Sequence, residues 1–191
     1  MKRFTITCLS VLAGAVAANA DILDFQNLEQ VNGSVNYVGT SVSEDGWNIT
    51  KEPGEPFDFA VFGTLDPRYP GSTALFNDTI NGMNRLEHGG LSVFNLVSID
   101  LDMLVGNPAQ VNFTGFINGG GTVQQSFNTD GNVGLQTFNF AGFTNLTKVE
   151  WLQEGSFHQY DNINVSVVPE PATVLALVAG LGLLVSRRRR A

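Results

Sequence analysis

Between Asp21 and Val168 the chain has no cysteine; its single thiol, Cys8, lies in an apolar stretch near the N-terminus. That absence excludes disulfide cross-links, zinc-thiolate centres and thiol nucleophiles from the body of the protein, which must be held together by its core alone. Basic residues are nearly as scarce. Of ten lysines and arginines, six sit at the two ends, leaving Lys51, Arg68, Arg85 and Lys148 against seventeen carboxylates, net −13 with histidine neutral. Nucleic acid and anionic lipid are held by clustered lysine and arginine that displace counterions, so neither is expected as a partner of this body. Catalytic constellations are missing too. No Gly-x-Ser-x-Gly element occurs, and His88 and His158 lie seventy residues apart, without the paired spacing of a zinc site. No enzyme is expected.

Nor does any segment from Asp21 to Val168 carry the long 3.6-residue apolar period of an amphipathic helix. What it carries instead is short alternation. Phe57 to Val61, Val111 to Thr114, Phe138 to Phe140, Thr147 to Trp151 and Ile163 to Val167 each place apolar and polar residues on opposite faces, as strands half buried in an antiparallel sheet do. Gly119-Gly120-Gly121 and Thr129-Asp130-Gly131-Asn132 read as turns bracketing a strand around Thr122 to Phe127, because these residues tolerate positive φ. The Asp45-Gly46-Trp47 turn and the Pro53 to Pro56 stretch read as an irregular region between the first strands. Many short strands at this spacing imply an all-β domain over 21–168, an antiparallel two-sheet β-sandwich of jelly-roll type, with an up-and-down barrel as the alternative.

The two ends read as sorting elements. Lys2 and Arg3 precede an apolar stretch ending in Ala18-Asn19-Ala20, the pattern of a signal peptide over 1–20 cut by signal peptidase. At the other end Pro169-Glu170-Pro171 leads into an uncharged run from Ala172 to Val185, followed by Arg187, Arg188, Arg189 and Arg190. Such a run is expected to be a transmembrane helix, with the arginines cytoplasmic and everything before Pro169 across the inner membrane. Its fourteen residues reach roughly 21 Å against a hydrocarbon core of about 30 Å, so local thinning and arginine snorkelling must assist. The three-part pattern over 169–191 resembles the PEP-CTERM protein-sorting signal of Gram-negative bacteria. That resemblance implies recognition by an exosortase-type transpeptidase, transient anchoring, and export to the cell surface or extracellular matrix together with exopolysaccharide.

A second resemblance covers the body. Ile22-Leu23-Asp24-Phe25, Gly71 to Asn77, Val97 to Leu101, Gly142 to Leu146 and His158 to Ile163 together are similar to carbohydrate-binding modules of the galactose-binding-like jelly-roll class. The resemblance implies that the last strand pairs near the first, with a structural calcium between them held by Asp161 and Asp24. Where the family's first-strand segment often has an acid, this chain has Gln26. Sugar binding needs an exposed ring beside hydrogen-bonding groups. Trp47 shares a face with Ile49 and Trp151 with Val149, so both are expected in the core. Tyr69, in a proline-flanked loop beside Arg68, is the candidate ligand ring, with the guanidinium as its polar partner. The chain is therefore expected to be an exported, non-enzymatic surface or matrix protein. A polysaccharide hydrolase or lyase and a permanently membrane-tethered binding domain are the alternatives.

Overall fold

The computed structural model describes residues 20–104, 106–154 and 157–168. Thirteen strands are present: β1 (Ala20–Leu23), β2 (Val35–Gly39), β3 (Ser41–Glu44), β4 (Trp47–Lys51), β5 (Phe59–Phe62), β6 (Leu75–Asn77), β7 (Gly82–His88), β8 (Phe94–Met103), β9 (Gln110–Ile117), β10 (Thr122–Asn128), β11 (Gln136–Asn139), β12 (Leu146–Gln153) and β13 (His158–Val167). Among the described residues one short 3-10 turn, Gln26–Leu28, follows β1. The signal peptide up to Asn19, and the whole 169–191 segment with Pro169, Glu170, Pro171, the expected helix and Arg187 to Arg190, lie outside the described residues. Among the described residues no helix is long and apolar enough to cross a membrane.

All pairings are antiparallel, and they form two layers. One layer runs β2-β5-β6-β13-β8-β11, with β1 alongside the C-terminal half of β13. The other runs β3-β4-β7-β12-β9-β10. They join at the single bridge Leu146↔Phe94. Rings from both layers meet between them. Trp47 on β4 stands edge-on to Phe94 on β8 with centroids 4.9 Å apart, and Trp151 on β12 stands edge-on to Tyr160 on β13 at 5.0 Å. Edge-to-face contacts of this kind satisfy the ring quadrupoles while burying large apolar areas. The Tyr160 hydroxyl crosses the gap and donates to Asn84 Oδ1 of β7. This is a sandwich whose chain crosses between layers at most of its connections, not a barrel of sequential neighbours.

Two tight hairpins are present, one at the expected Gly119 to Gly121 turn and one where an irregular region is expected, with Trp47 opening β4 rather than lying in the turn. Asp45 and Gly46, both with positive φ, link β3 to β4, and Gly119 to Gly121 link β9 to β10. Thr129 to Asn132 instead starts the crossing from β10 to β11 in the other layer. The expected alternation in Phe57 to Val61 is corrected. Phe57 lies before β5 and is exposed, while all four residues of Phe59–Phe62 are buried. Phe59 and Val61 enter the main core, whereas Ala60 and Phe62 join Phe76 in a second apolar cluster on the opposite face of the layer. That outer face is covered, and what covers it forms the site.

Candidate functional site

The covering segment is the loop from β5 to β6. Thr64 N donates to Gln30 O and Leu65 N to Asn32 O, which ties the start of the loop to the chain ahead of β2. Asp66 then folds inward. Its Oδ1 accepts from Arg68 N and Nε, and its Oδ2 from Arg68 Nη2, all at 2.9 Å. This fork-on-fork pair holds the Asp66 carboxyl below its ordinary range and raises the guanidinium, the Arg68 hydrogen bond being the largest cause in each. The loop is pinned to the sheet beneath it. Gln159 Nε2 on β13 donates to Arg68 O at 2.8 Å and to Asp102 Oδ2 on β8 at 2.6 Å, while Gly134 N donates to Asp102 Oδ1.

So fixed, the Arg68 guanidinium lies 4.1 Å from the centroid of Phe62, which stacks on Phe76 at 4.8 Å and 14°. Between Arg68, the two rings, Val35, Leu104, Phe157 and Asp78 opens a groove of about 240 Å³. Asp78 carries a further ring to it: the Tyr37 hydroxyl donates to Asp78 Oδ2 at 2.6 Å, and Tyr37 is 58% exposed. That bond is the largest cause of the raised Tyr37 phenol. The groove thus combines apolar walls, a fixed planar donor, a carboxylate and an exposed ring, the combination expected where a polar molecule with apolar faces is held. A larger recess, about 400 Å³, is lined by Thr40, Ser41, Thr50 and residues 51–55, and contains no aromatic.

The two loop residues singled out from the sequence are separated by the structure. Arg68 faces the groove. Tyr69 turns away and is half-buried, its hydroxyl donating to Glu29 Oε2 at 3.3 Å, with burial the first cause of its raised phenol. Tyr37, Phe62, Phe76 and Asp78 were not marked by sequence pattern. Tyr37 is 41 residues from Asp78 and Phe62 is fourteen from Phe76, and only the pairing of β2 with β5 and β5 with β6 assembles them.

The expected pairing of first and last strands is present: Leu23↔Ile163 through Ala20↔Ser166. It brings Asp24 toward Asp161. Asp161 is fully buried, its Oδ1 accepting Asn162 N at 2.7 Å and its Oδ2 without a hydrogen-bond partner. Burial pushes its carboxyl up to about 7; Ser72 and the Asn162 amide pull the other way, and the Asp100 and Asp24 carboxylates add to the rise. Asp24 Oδ1 accepts Gln26 N, and the Gln26 side-chain amide donates to Asp24 O and to Ser72. Among the described residues no group of three or more His, Cys, Asp or Glu is arranged around a cation. His158 is the first residue of the last strand, buried, with Nε2 unpartnered. Glu87 and His88 end β7, and the His88 ring stands edge-on to Trp47 at 4.9 Å.

No family model and no curated protein matches this chain. Solved structures do. A family 29 carbohydrate-binding module matches with a TM-score of 0.43 and 9% identity, covering 83% of this chain and 98% of its own. A CBM29-2 variant complexed with mannohexaose matches with a TM-score of 0.44 and 8% identity, over 80% and 93% of the two chains. CBM29_1 from Piromyces equi matches with a TM-score of 0.41 and 11% identity, over 82% and 95%. A likeness at these TM-scores decides neither the fold nor the ligand of this chain, whose all-β sandwich rests on its own strand pairing.

Proposed function

We propose that this chain is an exported, non-catalytic carbohydrate-binding sandwich of the galactose-binding-like jelly-roll kind, delivered to the cell surface or extracellular matrix by its terminal segments and associated there with exopolysaccharide. The observation that carries the binding half is the outer-face groove, where Arg68, locked by Asp66 over the Phe62 ring, faces Asp78 and Tyr37. Sugars present apolar faces and a fringe of hydroxyls. The exposed Tyr37 ring suits the former, and the remaining guanidinium N–H groups and Asp78 suit the latter. The carboxylates here do not form an acid and base pair, since Asp66 is bound twice by Arg68 and Asp78 accepts Tyr37. That arrangement speaks against the hydrolase or lyase alternative.

Calorimetric titration with native exopolysaccharide and a glycan array tests the groove. Tyr37→Ala and Arg68→Ala are each expected to weaken binding at least about fivefold, the size of one lost ring or donor contact. Wild-type protein that binds no glycan would remove the binding half. The export half rests on the residue patterns of the ends: signal peptidase releases the chain at Asp21, the 172–185 helix holds it transiently in the inner membrane, and an exosortase-type enzyme acts near Pro169-Glu170-Pro171. If that last cut does not occur, the protein is instead a permanently tethered domain.

A structural calcium remains part of the proposal, favoured by the unpartnered Asp161 Oδ2. Asp161 and Asp24 would be its carboxylate ligands, though Gln26 directs an amide donor, not an acid, into the same corner. Calcium added at pH 7.5 is expected to raise the melting temperature of the wild type and not of Asp161→Asn. An unchanged melting curve for the wild type would leave the corner to a proton.

A further inference from the structure

The ligand's charge class follows from where the cations of the sandwich are spent. The Lys51 side chain is 3% exposed, and its Nζ donates to the Glu55 and Phe57 carbonyls and lies 3.5 Å from Asp58. Arg85 is gripped by Glu52 at 2.6 Å and by Glu150 at 2.8 Å, and Lys148 reaches Glu150 at 2.7 Å. Arg68 is bound through Nε and Nη2 to Asp66, whose side chain is 4% exposed. These four are the only lysines and arginines from Asp21 to Val168, and each already faces a carboxylate. Seventeen acids in that span leave the surface strongly negative, and the groove adds Asp78.

An anionic sugar reaching the remaining N–H edge of Arg68 meets a guanidinium whose charge Asp66 already balances, with the Asp78 carboxylate in the same groove to repel it. Its approach would also be opposed by the field of the whole body. A neutral sugar meets neither obstacle. The guanidinium's charge is balanced, yet its remaining N–H groups still donate to hydroxyls. Resting on the carbohydrate reading above, we infer that the groove selects neutral glycans and rejects uronate-bearing or sulfated ones.

The test is binding of cellohexaose, mannohexaose and the native polysaccharide beside hexagalacturonate, all in chelator and at low and high NaCl. The expected result is binding of at least one neutral ligand, unchanged by salt, with hexagalacturonate at least about tenfold weaker. Asp66→Asn frees the guanidinium and is expected to strengthen hexagalacturonate binding about tenfold. Should that variant fail to fold, Asp78→Asn, which removes the groove carboxylate, is expected to strengthen it in the same direction. Hexagalacturonate bound as tightly as the neutral hexasaccharides, with an affinity that falls as salt rises, overturns the charge inference and leaves the carbohydrate reading standing. Binding of nothing, native polysaccharide included, overturns both.

Discussion

Two buried groups give the sandwich opposing responses to pH. Asp161 is pushed up to about 7, so between about pH 4 and 7 the native state keeps a proton that the unfolded chain has lost, and stability falls as pH rises through that window. His158 is driven by burial down to about 4, so below 6.5 the unfolded chain takes a proton that the native ring refuses, and stability falls as pH drops from 6.5 toward 4. The two slopes cancel over most of that shared range. Urea unfolding between pH 4 and 8 should therefore be nearly flat for the wild type. Asp161→Asn should be more stable than wild type by on the order of 2 kcal/mol above pH 7 and should lose stability on acidification. His158→Leu should gain stability on acidification, the Asp161 slope being unmasked. Variant curves parallel to the wild type would show that these groups do not titrate as their burial requires.

At the scale of elements, β10 shows how a polar residue on an apolar face is used. Val123, Gln125 and Phe127 share the inward side of that strand, and Phe127 packs against Phe113 and Phe138. Gln125 is not an error in the pattern. Its Nε2 donates to Asn139 O at 3.0 Å and its Oε1 accepts Ala141 N at 2.8 Å, so one side-chain amide acts as a short strand linking β10 of one layer to the end of β11 in the other. Closing the corner this way covers an edge that would otherwise present unpaired backbone groups. Gln125→Ala is expected to cost about 1 kcal/mol in urea unfolding and to speed amide hydrogen exchange at Ala141 more than at Phe113, which sits in the paired centre of β9. Equal exchange at both would show that the amide contributes nothing local. β5 makes the complementary point. Its four consecutive buried residues break alternation because the Arg68 loop covers the face that an ordinary two-layer sheet leaves to water.

For the whole molecule, the decisive measurement is the intact mass of the protein recovered from cells and from medium of its native host. The expected species begins at Asp21 and lacks the segment beyond the Pro169-Glu170-Pro171 site. A cut after Ala20 removes one residue from β1 yet leaves Asp21↔Val165 through Leu23↔Ile163 paired, and keeps Asp21 Oδ2 accepting from Trp47 Nε1. Full-length chain in the cytosol with both ends intact would refute export. The net charge of −13 in the body works against compaction by self-repulsion, and with no cysteine in that span the cohesion comes from the buried core, ring contacts between layers included.

Short-range pattern was enough for the all-β class, the Gly119 to Gly121 hairpin, the burial of Trp47 and Trp151, and the poverty of cationic charge, because each depends on residues within a few positions of one another or on a simple count. Tertiary structure alone decided the groove. Tyr37, Phe62, Arg68, Phe76 and Asp78 carry no shared period or spacing and meet only when β2, β5 and β6 pair and the intervening loop folds back over them. It alone turned Tyr69 toward Glu29, matched Lys51, Arg68, Arg85 and Lys148 each to a carboxylate, and buried Asp161 beside other acids. Pairing between distant segments follows from burying whole faces at once, and no local run of residues encodes that sum.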